Sequence, residues 1–152
     1  YSCHDNGDYS LSFDGVGDVH DYVRWPIKWK NYVDSVKAYK NLQKQFPLLR
    51  INTWTTVSSL NVANLPSILD FTTEYDLEHA WALVNDPKIY DPRYTNDLTL
   101  AAKDKLLKSS YKVCREIADV IATGENNNKQ LDNFIKRQDR LRKIDIKDYL
   151  NF

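Results

Sequence analysis

No methionine occurs anywhere in the 152 residues, and cysteine occurs only twice. A translated chain begins with methionine unless it is trimmed, so the natural start is expected upstream of Tyr1. Two cysteines are too few for the disulfide framework of a small secreted domain, and Cys114 falls on an apolar stripe at helical spacing, which suits a buried thiol. The cytoplasm is therefore the expected compartment. No apolar run reaches the roughly 18 residues needed to cross a bilayer, and the region after Tyr1 lacks the basic, apolar and small-residue order of an export signal.

Local chemical signatures are equally sparse. Cys3, His4, His20, His79 and Cys114 are scattered, without the spacing that puts two ligands on one metal. There is no Gly-Lys-Ser or Gly-Lys-Thr phosphate loop and no Gly-x-Ser-x-Gly elbow, and no pattern selects one serine as a nucleophile. Asp14-Gly15-Val16-Gly17 begins like a dinucleotide loop but has His20 where the third glycine is required. The formal net charge of +0 conceals a split: residues 1–98 carry 9 Lys+Arg against 13 Asp+Glu, and residues 99–152 carry 12 against 8. The basic half lacks the interleaved aromatics of a single-strand-binding surface, so nucleic acid is not an expected partner.

With 42% hydrophobic residues the chain suffices for one domain with a core. Tyr9 to Phe13 alternates into the turn cluster Asp14 to Asp18 and reads as a strand. Trp29, Val33, Val36, Tyr39, Leu42 and Phe46 recur at helical spacing up to Pro47. Arg50 to Val57 is rich in β-branched and aromatic residues and predicts a second strand, leaving through Ser58 to Asn61. Leu65, Ile68, Leu69 and Phe71 give the next helix, with Pro66 in its first turn. His79 to Val84 gives a third strand.

Helix-length connections allow the three strands to lie parallel, in a barrel or an open sheet. In both, function gathers on the loops leaving the strands' C-terminal ends. From Thr99 onward the pattern is helical only. Leu107, Tyr111, Cys114, Ala118 and Ile121 read as one stripe ending near Gly124, and Leu131, Phe134, Ile135 and Leu141 as another. The expected division is 1–98 for the strands with their helices, and 99–152 for a helical tail packed on them.

Ser12-Phe13-Asp14-Gly15, then His20-Asp21-Tyr22-Val23-Arg24, then Thr56-Val57-x-x-Leu60-Asn61 follow one another at the first two strand exits. In that order they resemble the later strands of a radical S-adenosylmethionine enzyme barrel. The likeness continues through Trp25-Pro26, Trp29, Trp81 to Val84, Pro87 with Tyr90, Lys103 and Asp139-x-x-Arg142. The chain resembles the subgroup from phages and bacteria with a reduced, twitch-like C-terminal cap.

The resemblance implies an α/β fold, the C-terminal half of a partial (β/α) barrel followed by a helical tail, in an enzyme that cleaves its cofactor reductively to abstract hydrogen from a substrate. The implied cofactors are S-adenosylmethionine and an iron-sulfur cluster. Arg24 would grip the cofactor carboxylate, Ser12 would bond to the same end or the ribose, and Asp14 and Asn61 would form polar wall near the sugar. The residues by themselves also allow Asp14 as a turn residue, Asn61 as a helix cap, and Arg24 as a loop arginine paired to Asp18 or Asp21. Trp25, Trp29 and Trp54 read as packing residues.

The loop from Asp86 to Asp97, stiffened by Pro87 and Pro92, is the expected substrate contact through Tyr90 and Tyr94; the substrate, a small molecule or a peptide, is not specified. The sequence departs from the family in two places. The trio of closely spaced cysteines that holds the cluster is absent, so the cluster and the missing N-terminal half of the barrel are expected upstream. Asp97-Leu98-Thr99 also stands where a Leu-Pro step is expected. The competing reading is a non-enzymatic docking domain that presents Lys136, Arg137, Arg140 and Lys143 on its tail to a partner.

Overall fold

The computed structural model describes residues 8–150. Cys3 and His4 lie outside them. Three parallel strands, β1 (Asp8–Ser12), β2 (Arg50–Val57) and β3 (Glu78–Leu83), form a sheet in the order β1-β2-β3. Six helices accompany it: α1 (Asp18–Val23), α2 (Trp29–Gln45), α3 (Leu65–Glu74), α4 (Asp97–Leu107), α5 (Lys112–Val120) and α6 (Asn128–Arg142). The fold is α/β, as the alternation of strand and helix patterns predicts. Each parallel pairing requires the chain to return to the starting end, and α1 with α2, then α3, make those returns.

The two faces of the sheet differ. Along β2, Ile51, Thr53, Thr55 and Val57 are buried, whereas Arg50, Trp54 and Thr56 are exposed. The buried face meets helices in two clusters. Phe13, Tyr32, Val36, Ile51, Ile68 and Phe71 join β1 and β2 to α2 and α3. Val57 and Leu65 pack with Ala102, Leu106, Cys114, Ile117 and Ile121 of the region from α4 to the end of α5. The first two tail helices thus share a core with the strand unit. On the other face, the pairing register sets Ser12, Trp54 and Ala80 side by side, all exposed.

Three details differ from the sequence reading. Asp18 to Val23, expected as loop, is a short helix. Gly15 makes its entry possible: a Cβ there would meet Val19 Cγ1 at 2.8 Å and the His20 backbone nitrogen at 2.9 Å. Leu107 to Ile121 is not one helix. The chain turns after Leu107, and Arg115 Nη1 donates to the Ser109 and Ser110 carbonyls at 2.6 and 3.0 Å, satisfying backbone at the break. Leu107 is consequently half-exposed rather than part of the Cys114 stripe. In α6, Leu131 and Ile135 are buried as expected, but Leu141 is 66% exposed and Arg142 takes the inward position.

No described helix is long and apolar enough to cross a membrane.

Candidate functional site

A cleft of about 190 Å³ lies at the C-terminal ends of the strands. Asp14 enters it from the β1 exit, Thr56, Ser58 and Leu60 from the end of β2 and its exit, and Val84 and Tyr90 from the β3 side. Tyr22 and Val23 of α1 form another wall, and Phe134, Ile135, Gln138 and Arg142 on one face of α6 close it. Positions 134, 138 and 142 recur at the four-residue spacing that stacks side chains along a helix.

At the polar end, Asp14 is fixed from two directions. Arg24 Nε donates to Asp14 Oδ2 at 2.7 Å, and the Thr56 backbone N–H donates to Oδ1 at 3.0 Å. Arg24 therefore pairs with Asp14 rather than with Asp18 or Asp21; Asp21 instead accepts from Lys28 Nζ at 3.0 Å and the Trp29 N–H at 2.6 Å. Asn61 is 1% exposed and has every polar atom engaged. Its amide nitrogen donates to the carbonyls of Asp14 and Thr56 at 3.0 and 2.9 Å, and its Oδ1 accepts from the Ser58 N–H at 2.7 Å. Asn61 ties the first strand exit to the second. Thr55 adds a parallel tie by donating to the Phe13 carbonyl at 2.7 Å.

Ser12 lies beyond the cleft, on the bare face beside Trp54. Of the five other residues singled out from sequence, Asp14 and Tyr90 line the cleft, Arg24 stands behind Asp14, Asn61 is buried beneath, and Tyr94 is elsewhere. Tyr90 packs edge-on against Phe134 with ring centroids 5.2 Å apart. Burial raises the Tyr90 phenol above its ordinary pKa, with the Arg142 charge opposing. Tyr94 belongs to a stretch stitched to the turn between α5 and α6. The Pro92 carbonyl accepts from the Ala122 N–H at 3.0 Å, the Arg93 carbonyl from Thr123 and Gly124 at 3.0 and 2.8 Å, and Asp91 holds Arg93 by a bidentate pair.

The α6 side was not legible as a site. Tyr22 donates its hydroxyl to Asp139 Oδ1 at 2.8 Å, and the Ile146 N–H donates to Asp139 Oδ2 at 2.9 Å. Burial and that acidic neighbour push the Tyr22 phenol far above its usual range. Arg142 donates from Nη1 to the Tyr22 carbonyl at 3.0 Å, and its guanidinium lies over the Tyr22 and Trp25 rings at 5.8 and 5.7 Å. The sequence signal was the pair Asp139-x-x-Arg142, which the resemblance picked out without giving it a role.

His20 lies behind the site, 1% exposed, against the stacked pair of Trp29 and Tyr32 at ring-centroid distances of 5.3 and 5.5 Å. The Gly15 backbone lies near it, yet neither ring nitrogen has hydrogen-bonding geometry to any partner. Burial, then the Arg24 charge, hold its pKa below the usual value.

Among the described residues no group of three or more His, Cys, Asp or Glu could hold a metal ion. Cys114 is 0% exposed within the second apolar cluster, and burial raises its thiol pKa. The described residues therefore do not fit an iron-sulfur cluster. Lys136, Arg137, Arg140 and Lys143 lie on the outside of α6 and just beyond it, exposed and in no ion pair among the described residues. Compared with known protein families, curated proteins and solved structures, the chain matches none.

Proposed function

We propose that this chain is the later-strand part of a radical S-adenosylmethionine enzyme, supplying cofactor-binding wall and a substrate cleft. The observation that carries the proposal is the one-sided sheet: among the described residues helices cover one face and none covers the other, and polar strand exits converge on a cleft at the C-terminal ends. A wall of a partial (β/α) barrel has these features, because its outer face takes the helices and its inner face points to the lumen. In this reading the remaining strands precede β1, residues 99–152 form the cap, and the protein acts in the cytoplasm, where a free thiol such as Cys114 stays reduced.

The cofactor's amino-acid end would meet Ser12 and the outer nitrogens of Arg24, since Asp14 occupies only its Nε. Asp14 and Asn61 then act mainly on geometry: Asp14 orients Arg24, and Asn61 holds the two strand exits at fixed separation. Tyr90 and the apolar walls would face the substrate. The cluster that starts such chemistry would be held outside residues 8–150, and no step through it is derived from this chain.

Isothermal titration of S-adenosylmethionine into the chain tests the reading. Binding is expected, with Arg24→Gln weakening it about tenfold through loss of a charge-assisted carboxylate contact. Absence of saturable binding, or an Arg24→Gln variant that binds equally well, overturns the assignment.

The second reading is a docking domain. The four exposed cations on the outside of the tail, in no ion pair among the described residues, favour it, and an acidic partner would neutralise them. Reading the coding sequence upstream of Tyr1 separates the two: a closely spaced cysteine trio supports the enzyme, and a nearby start codon without one supports docking.

A further inference from the structure

Arg142 differs from the other two arginines around the strand exits. Arg24 is matched by Asp14, and Arg93 by Asp91. Among the described residues Arg142 forms no ion pair, although it is only half-exposed and lines the cleft. The two carboxylates of the region are already engaged: Asp14 by Arg24 and the Thr56 N–H, and Asp139 by the Tyr22 hydroxyl and the Ile146 N–H. A partly desolvated cation without a counter-charge is costly unless something supplies one.

The guanidinium is also held in place. One N–H is spent on the Tyr22 carbonyl, and the rings of Tyr22 and Trp25 lie beneath it, so its orientation is set before any ligand arrives. Its other donors keep the forked geometry that grips a carboxylate by both oxygens. Beyond it the walls turn apolar, with Leu60, Val84, Phe134 and Tyr90. At about 190 Å³ the cavity is smaller than typical drug-sized sites, which start near roughly 300 Å³, so it suits a small acid or one end of a longer one.

We propose that the cleft binds a carboxylate-bearing ligand with a flat apolar body, the carboxylate on Arg142 and the body against Phe134 and Tyr90. Taking this ligand as the substrate rests on the enzyme reading above; the anion site itself does not.

The test compares phenylacetate with its uncharged counterpart phenylacetamide, titrated into the isotope-labelled chain at neutral pH and followed by NMR at the Arg142 Nε–H and the Phe134 ring. Phenylacetate is expected to shift both and to bind at least about tenfold more tightly than the amide. Arg142→Gln should abolish that preference, Arg142→Lys should keep part of it, and Lys129→Gln, which removes an exposed charge from the same helix outside the cleft, should leave it intact. Equal binding of acid and amide overturns the proposal, as does no saturable phenylacetate binding or a preference that survives Arg142→Gln. Because Arg142→Gln also removes the tie to Tyr22, the acid-to-amide comparison in the unaltered protein decides if that variant misfolds. S-adenosylmethionine titrated into the same sample separates the two claims. Acid preference without cofactor binding leaves the anion site and removes the cofactor reading, and the reverse result does the opposite.

Discussion

His20 shows how a single residue can carry a conditional cost. Its buried imidazole packs against the stacked rings of Trp29 and Tyr32 with neither nitrogen bonded, and Arg24 is the cation that bears on it, opposed by Asp21 and Asp14. A lowered folded-state pKa means the unfolded chain takes up the proton first as pH falls. The stability held by neutral His20 is therefore complete above the unfolded value of about 6.5 and is lost below it, at up to about 1.4 kcal/mol per pH unit. His79, whose pKa burial also lowers, adds a second contribution of the same sign. Urea midpoints measured from pH about 7.5 down to about 5.5 should fall in the native chain and fall less steeply in His20→Leu. An identical pH dependence in that variant would assign the titration to other groups.

Arg24 and Asn61 illustrate what a sequence can say about a residue and what it cannot. The residue types and their place after a strand marked both as polar and site-proximal. Whether Asn61 faces a ligand or locks the backbone depends on which carbonyls come within 3 Å, and those belong to Asp14 and Thr56, the former 47 positions away.

Among the elements, α4 is the tail helix whose start is fixed by a side-chain cap, whereas α5 and α6 rest on buried apolar stripes. Asn96 is 0% exposed and forms a capping box at the start of α4: its Oδ1 accepts from the Thr99 N–H, and its own N–H donates to Thr99 Oγ1, both at 3.0 Å. Its amide nitrogen also donates to Asn127 Oδ1 at 2.9 Å, joining the start of α4 to the start of α6. Asn96→Ala should lose about 1 to 2 kcal/mol for the cap and about 1 kcal/mol for the cross-link, read from urea unfolding. A loss below about 0.5 kcal/mol, the scale of ordinary surface changes, would show that the box does not hold the helix starts together. The asparagines at 126–128 belong to this junction: Asn128 Nδ2 donates to Asp97 Oδ1 at 2.9 Å.

The long stripes were legible because burial imposes periodicity, and the boundaries of β2 and the start of α2 fall where the residue pattern puts them. The break between α4 and α5 was not legible. Helical spacing carries Leu107 into the Cys114 stripe across Lys108 to Ser110, whereas the residues of α4 that join that cluster are Ala102 and Leu106.

At the scale of the whole molecule the bare face of the sheet dominates. Trp54 sits at its centre, 40% exposed, between Ser12 and Ala80. In this chain Trp54→Arg should change the unfolding free energy by less than about 1 kcal/mol, the span of strand preference at an unpacked site. In the full reading frame, if the face is barrel interior, the same change should cost about 3 kcal/mol or more, the scale of core aromatic losses. Equal small effects in both contexts would leave the sheet open and remove the main support for a barrel.

The sequence alone determined the α/β class, the parallel order of three strands and the placing of polar residues at their exits, because those follow from local periodicity and turn chemistry. Only the tertiary structure decided that Arg24 answers to Asp14, that Asn61 works on backbone, and that Arg142 faces the cleft without a counter-charge among the described residues. Asn61 meets the Asp14 carbonyl across 47 positions and Arg142 the Tyr22 carbonyl across 120, and even the Asp14–Arg24 pair, 10 apart, depends on how the strand exit and α1 fold back on each other, which no hydrophobic period encodes.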